Sequence, residues 1–209
     1  MSNVSTLLRA TRISPHKTLL PSLVPHTRWF SPATCLRSQT QAQIQPGDKI
    51  PEATLFYSNN PEADGVCAIP QKITTAELFK NKKVVLVSVP AAFSPTCQGS
   101  HIPGFIEKLA DLKAKGVDTV AVLAADTVFA MDAWGKHLKV GKDIIMLSDP
   151  YVELSKKLGL AFETRGGALE MGPRTRRSAI IANDGTVKWV GVDLKGLENS
   201  TAEAVLAHL

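Results

Sequence analysis

The apolar run at residues 83–89 constrains the fold of this 209-residue chain more than any other segment. Its sequence, Lys-Val-Val-Leu-Val-Ser-Val, is rich in β-branched residues, which is typical of a buried strand. A proline-containing turn follows at once, and a helical pattern runs from about Phe105 to residue 115. A buried strand that leads into a helix predicts an α/β fold in which helices cover a sheet.

Strands and helices alternate along the rest of the chain. Further strands are predicted at 53–57, 117–124 and 143–147, and helices at 74–77 (a capped turn), 128–138, 151–158 and 201–209. Segments 177–182 and 186–192 flank Asn183-Asp184-Gly185, a strong hairpin signal, and 166–174 is expected to be a flexible loop with arginines in or beside it. The pattern predicts a central mixed sheet, parallel early and antiparallel late, with helices on both faces.

Charge separates the first 47 residues from the remainder. They contain five of the 24 basic residues and none of the 19 acidic ones, so the remaining basic and acidic residues balance. A balanced domain argues against a nucleic-acid-binding role. No apolar run approaches the roughly 18 residues of a membrane span, so no membrane partner is expected.

The basic, acid-free and hydroxyl-rich N-terminus is typical of a mitochondrial transit peptide. We expect this segment to cover residues 1–43, with cleavage near 30–38 and import into the matrix, and the folded domain to cover 44–209. A disordered basic tail is the alternative.

Cys97 follows the strand at 83–89 and precedes the helix. Backbone N–H groups at a helix N-terminus are unpaired and the helix dipole is positive there, so a thiolate is favoured over a thiol. Cys97 is therefore a candidate nucleophile. The alternative is a buried structural cysteine, which is the commoner fate of this residue type.

Two neighbours suggest what the thiol does. Ser94 lies one helical turn before Cys97, so its hydroxyl is expected near the sulfur, either as part of the site or as a helix N-cap. His101, four residues after Cys97, would suit a Cys–His hydrolase or acyl-transferase. A redox thiol is the competing interpretation. No second cluster with metal-ligand spacing occurs, so no metal is expected.

Residues 90–97, Pro-Ala-Ala-Phe-Ser-Pro-Thr-Cys, with Ser-His-Ile-Pro-Gly-Phe at 100–105, resemble the active-site signature of the peroxiredoxins. The resemblance is to the type-five, atypical subfamily and its fungal members, and it extends from about residue 44 to the C-terminus. Pro90, Ser94 and Cys97 match the spacing of the signature. Arg177, shortly before the hairpin, matches the family's catalytic arginine, with Arg176 as the alternative. Trp134-Gly135 and residues 147–150 also fit.

The resemblance implies a thioredoxin-like fold and a thiol-dependent peroxidase that needs no cofactor. Cys97 would attack hydrogen peroxide or an alkyl hydroperoxide and become a sulfenic acid. Arg177 would stabilise the thiolate and the leaving oxygen, Ser94 would hydrogen-bond the peroxide, and Pro90 would close the pocket. The backbone N–H groups of Thr96 and Cys97 would bind the peroxide oxygen.

Two residues depart from the family pattern, and no cysteine follows Cys97. Ala91 replaces the usual glycine and Ser94 the commoner threonine, from which we expect a modest effect on rate. Cys67 is placed like the resolving cysteine of some fungal members. The alternative is a one-cysteine enzyme in which Cys67 takes no part.

The resemblance also implies partners. Thioredoxin, glutaredoxin or glutathione would reduce the oxidised enzyme, and the chain would form a homodimer. A peroxide sensor of the same fold, which passes oxidation to a partner protein, is the non-enzymatic alternative. Pro103 removes a helical N–H, so the turn that carries Cys97 is expected to unwind easily.

Overall fold

The computed structural model describes residues 42–58, 69–165 and 170–209. Three parts of the sequence-based interpretation lie outside these residues: nearly all of the transit peptide, Cys67, and the first four residues, 166–169, of the predicted loop at 166–174. In the described ranges, no helix has both the length and the apolar character that crossing a membrane requires.

The described ranges contain nine strands: β1 Thr54–Ser58, β2 Pro70–Thr74, β3 Lys83–Ser88, β4 Thr119–Ala124, β5 Ile144–Ser148, β6 Ala161–Glu163, β7 Pro173–Thr175, β8 Arg177–Asn183 and β9 Thr186–Asp193. Seven of them form one sheet in the order β2-β1-β5-β4-β3-β8-β9, and β6 pairs with β7 separately.

The register of the central strands confirms the mixed sheet. β3 and β4 are parallel, with Val85 opposite Val120, and β4 and β5 are also parallel. β8 lies antiparallel on the other side of β3, with Val87 opposite Ala179, and β9 returns as the second arm of the hairpin. The residues that follow β3 and those at the start of β8 therefore lie at the same end of the sheet.

Four strands differ from the sequence-based expectation. β1 belongs to the early part of the chain, yet it runs antiparallel to β5, with Phe56 opposite Ser148. β2, and the short pair of β6 with β7, were not predicted. β2 is a largely solvent-facing edge strand, and β6 and β7 have only three residues each. None of the three therefore shows the run of buried residues by which a strand is recognised in a sequence.

Helices cover both faces of the sheet: α1 Thr75–Phe79, α2 Ile102–Glu107, α3 Leu109–Ala114, α4 Val128–Leu138, α5 Glu153–Lys157 and α6 Ala202–Leu206, with a π-helical turn at Cys97–His101 before α2. α4 has the predicted bounds. The predicted cap of α1 is also present: the Thr74 hydroxyl accepts the Glu77 N–H at 3.2 Å, and the Glu77 carboxylate accepts the Thr74 N–H at 2.8 Å.

Alternate residues of β3 enter two different cores. Val85 and Val87 pack in one core with residues of α2, α3, α4 and α6, such as Phe105. Val84 and Leu86 pack in the other with residues of α1 and α5. Because β3 is buried on both faces, its sequence is continuously apolar rather than alternating.

Candidate active site

The turn after β3 carries Cys97 into the start of a helix. The Gln98 N–H donates to the Ser94 carbonyl at 2.8 Å, so Ser94 is the backbone N-cap and Pro95 occupies the first turn, where its missing N–H costs nothing. The helical segment therefore begins well before Phe105, where the sequence pattern placed it. Cys97 is fully buried in the first core.

Cys97 opens a π-helical turn rather than an ordinary α-helical one. The Ile102 N–H donates to the Cys97 carbonyl, five residues back, and Pro103 follows without an N–H of its own. This five-residue spacing interrupts the regular α-helical hydrogen-bond pattern, and such turns occur frequently at functional sites.

Arg177 lies at the start of β8 and reaches the thiol. Its Nη1 donates to the Cys97 Sγ at 3.4 Å and to the His101 Nδ1 at 3.1 Å. The structure thus brings together two residues that are 80 positions apart in the sequence. Arg176, the alternative, has its guanidinium carbon 5.3 Å from the ring centroid of Phe162 instead.

Both ring nitrogens of the buried His101 are occupied by groups other than the sulfur. The Arg177 guanidinium can only donate, so Nδ1 is the acceptor and Nε2 carries the proton, which it donates to the Ser200 carbonyl at 2.9 Å. Burial lowers the pKa of His101 to about 4, and the Arg177 charge acts in the same direction; the hydrogen bond to Ser200 and the Asp193 charge oppose them. A neutral imidazole that holds an arginine argues against the Cys–His hydrolase.

Behind His101, a buried carboxylate fixes the position of Ser200. The Ser200 hydroxyl donates to Asp193 Oδ2 at 2.6 Å and the Ser200 N–H to the same oxygen at 3.0 Å. Burial raises the pKa of Asp193, but the hydrogen bonds from residues 198–200 outweigh it, and the net pKa is lowered. An ionised Asp193 therefore anchors the chain of contacts that ends at Arg177.

The remaining predicted residues lie in the same turn. Pro90 is half-buried at the end of β3, and Thr96 precedes Cys97 in helical conformation. The Ser94 hydroxyl donates to the Ala91 carbonyl at 3.0 Å and not to the sulfur, so in this state it braces its own turn. An incoming acceptor would have to compete with that carbonyl.

The sequence and the fold are similar to those of known proteins. Residues 45–206 match the family model described as Redoxin. The chain is 38% identical to Peroxiredoxin-2E, chloroplastic, of Arabidopsis thaliana over 80% of this chain and 70% of the relative. It is 41% identical to a putative peroxisomal peroxiredoxin of Lipomyces kononenkoae over 78% of this chain and 99% of the relative. Reduced Prx3 of Vibrio vulnificus, in complex with H2O2, superimposes with a TM-score of 0.71 at 37% identity, covering 79% of this chain and 98% of that one.

The chain belongs to the peroxiredoxin family. It is therefore an enzyme, a thiol-dependent peroxidase with a thioredoxin-like fold, and the non-enzymatic sensor is not favoured. The predicted family, fold class and activity are confirmed.

An aspartate that was not predicted from the sequence connects two segments of this peroxiredoxin's site. Asp126 follows β4; its Oδ2 accepts the Ala92 N–H at 2.8 Å and its Oδ1 accepts Arg174 Nη1 at 3.0 Å. Ser148 at the end of β5 donates its hydroxyl to the Asp126 carbonyl at 2.6 Å. One residue thus joins the turn that carries Ser94 to the segment that leads into Arg177. A polar residue directly after a parallel strand was the available signal.

Trp134 packs beside the turn that carries Cys97. It is fully buried in α4, and its indole N–H donates to the Gln98 side chain, next to Cys97. Phe93, half exposed and with φ of 58°, packs its ring 6.2 Å from the Trp134 ring. This contact gives a packing reason for the Trp134 that the family resemblance singled out.

Proposed function

We propose that Cys97 is the peroxidatic cysteine of this peroxidase and that Arg177 is its catalytic arginine. The observation that carries the proposal is the 3.4 Å contact between Arg177 Nη1 and the Cys97 Sγ. A guanidinium is always charged, so it favours the thiolate over the thiol and offers further donors to a peroxide oxygen. Hydrogen peroxide and alkyl hydroperoxides are the proposed substrates.

The reaction is a two-electron displacement at oxygen. The Cys97 thiolate attacks the terminal peroxide oxygen, an S–O bond forms and the O–O bond breaks. Sulfur becomes a sulfenic acid, and the leaving oxygen takes a proton as water or an alcohol. Arg177 stabilises the charge that moves onto the leaving oxygen. Ser94, once turned away from Ala91, and the N–H groups of Thr96 and Cys97 hold the peroxide, while Pro90 limits access of water.

His101 is proposed as a positioning residue in this reaction. It does not contact the sulfur; it accepts from Arg177 and thereby fixes the guanidinium that does. Its rigid backing by Ser200 restricts the rotamers of the arginine, so the donors aimed at the peroxide need little rearrangement.

The experiment measures the second-order rate constant of thiol oxidation by hydrogen peroxide in the reduced full chain. Cys97→Ser should abolish peroxide consumption, whereas Cys67→Ser should leave the first oxidation step intact. Peroxide reduction that survives in Cys97→Ser would overturn the assignment of the reacting thiol.

How the sulfenic acid reacts further is proposed from the sequence, because Cys67 lies outside the residues that the structure describes. We propose that Cys67 resolves it as a disulfide and that thioredoxin, glutaredoxin or glutathione then reduces the enzyme. Non-reducing mass spectrometry of peroxide-treated protein tests this: a Cys67–Cys97 peptide is expected in the wild type, and a persistent sulfenic acid in Cys67→Ser. A glutathione adduct on Cys97 in both proteins, when glutathione is present, would instead support the one-cysteine alternative.

Resolution requires the buried thiol to leave its pocket. The π-helical turn at 97–101 and Pro103 lower the number of regular helical hydrogen bonds that hold it. We expect amides 97–103 to exchange hydrogen faster than those of β3 and β4. Protection equal to that of the central strands would contradict easy unwinding.

The subfamily, location and assembly are also proposals. The signature at 90–105 supports the type-five subfamily, and the basic N-terminus supports residues 1–43 as a mitochondrial transit peptide before a domain at 44–209. Fusion of residues 1–43 to a fluorescent protein tests the location, since staining of another compartment would refute it. A homodimer is proposed from the family resemblance, and sedimentation of the reduced protein tests it.

A further inference from the structure

A small cavity of about 170 Å³ lies against the candidate active site; we name it the basic cavity. Pro90 and Arg177 line it, so it adjoins two residues that we place at the peroxide pocket. Its lining also includes Phe162 of β6, and Leu194 and Lys195, which follow β9. A substrate bound at Cys97 would extend its organic part into this space.

The charges that line the basic cavity do not balance. Three cations, Arg176, Arg177 and Lys195, face one carboxylate, Asp193. Arg177 already pairs with the Cys97 sulfur, which is an anion in the reactive state. When the thiolate is present, these three cations are near two negative charges, the thiolate and Asp193, so one positive charge is in excess. Asp193 is committed to residues 198–200 through its hydrogen bonds and does not turn toward the cations.

Arg176 is held where it can receive a ligand. Its backbone N–H donates to the Leu160 carbonyl at 2.7 Å, and its guanidinium lies over the Phe162 ring. This stacking leaves the edge of the guanidinium, with its N–H donors, available for an oxyanion. Leu194, 75% exposed, adds an apolar surface to the lining, and covering this surface with an apolar group would be favourable.

We propose that the basic cavity selects organic hydroperoxides that carry a carboxylate, with the apolar part against Phe162 and Leu194 and the carboxylate between Arg176 and Lys195. This inference rests on the proposed function, since it takes Cys97 as the reacting thiol. The chemistry is unchanged: the thiolate and the hydroperoxide give a sulfenic acid and the corresponding alcohol, with the proton supplied to the leaving alkoxide. The carboxylate binds and is not consumed.

The test uses a matched pair of substrates on the reduced full chain. The probes are cumene hydroperoxide with a para-carboxylate, its methyl ester, and hydrogen peroxide, and the readout is the second-order rate constant of thiol oxidation. Ion pairs at solvent-facing sites contribute modestly, so the wild type should oxidise with the carboxylate about three to ten times faster than with the ester. The preference should shrink as salt screens the charges.

Variants identify the cations responsible. In Arg176→Gln and in Lys195→Gln, the ratio of carboxylate to ester rate constants should fall by about threefold each. Lys188→Gln removes an exposed lysine of β9 that does not line the basic cavity, and it should keep the wild-type ratio. The hydrogen peroxide rate constant in each variant corrects for general damage to the site.

Each outcome bears on one idea. A wild-type ratio near one, or variants that slow all three peroxides in equal proportion, would overturn the selection of carboxylates. If Cys97→Ser still reduces all three peroxides, the proposed function itself fails. If Cys97→Ser is inactive while the ratio is near one, only the basic cavity inference is lost.

Discussion

Acid should destabilise this peroxiredoxin through one buried histidine. His101 has a pKa of about 4 in the folded protein against about 6.5 in an unfolded chain, because burial disfavours its charged form. Between these two values the unfolded state binds a proton that the folded state does not, so the free energy of unfolding falls as the pH is lowered. Above pH 6.5 the full stability is present, and the loss is complete near pH 4.

The magnitude follows from the pKa difference. Each pKa unit corresponds to 1.36 kcal/mol, so His101 alone should remove about 3 kcal/mol across this window. Burial is the main origin of the penalty. Protonation of Nδ1 would also abolish its acceptor role and place a cation against Arg177, which adds to it.

The assay is urea unfolding of the wild type and His101→Gln from pH 7.5 to pH 4.5. Glutamine does not titrate, so the difference in stability between the two proteins should shrink or reverse toward low pH by most of the 3 kcal/mol. Contributions of carboxylates common to both proteins cancel in the difference. His208→Gln, which removes an exposed histidine, is the control for loss of a histidine as such. Parallel stability curves for the wild type and His101→Gln would refute the reasoning.

Three further predictions concern the site and its support. Arg177→Met should lower the rate constant of thiol oxidation by about a hundredfold or more, as measured by stopped-flow fluorescence, because a donor aimed at the leaving oxygen is lost. Asp126→Asn and Arg174→Gln should show a coupling of about 1 kcal/mol in a double-mutant cycle of unfolding free energies, since their ion pair is largely shielded from water. Gly135→Ala should destabilise by about 1–3 kcal/mol in urea, because the new methyl group would meet Met146 at 2.8 Å.

Matched variants sharpen these three tests. A fall of less than threefold in Arg177→Met would remove it from the catalytic site. Asp132→Asn breaks a comparably shielded ion pair with Lys136 within α4 and should show no coupling with Arg174→Gln, unlike Asp126→Asn. Gly104→Ala has open space around the new methyl group and should be neutral or stabilising, so equal destabilisation of both glycine variants would argue against a clash at Gly135.

Local patterns predicted most of the elements that lie in the core. β3, β4 and the β8–β9 hairpin were recognisable because their apolar character or turn residues are local properties. β2 and the β6–β7 pair were not, because they are short or solvent-facing and depend on their partners for stability. The start of the helix at Cys97 was hidden by Pro95 and Gly99, which lower helix propensity but are tolerated in the first turn.

The candidate site was likewise predictable only in part. The positions of Ser94 and Cys97 in one turn followed from their spacing, and Arg177 was assigned by resemblance rather than by any local pattern. No signal indicated that the Ser94 hydroxyl points to Ala91 or that His101 holds an arginine. Side-chain orientations of this kind depend on contacts between distant segments.

The sequence by itself determined the class of protein. An apolar strand, a cysteine at a helix start and a balanced charge after residue 47 identify an α/β thiol protein, because strand burial, helix polarity and net charge are set by short stretches of residues. Only the tertiary structure decided which groups meet. The antiparallel pairing of β3 with β8 brings Arg177 to Cys97, and the end of β9 with the segment after it brings Asp193 and Ser200 to His101. Such contacts depend on the order of strands in the sheet, which no local pattern encodes.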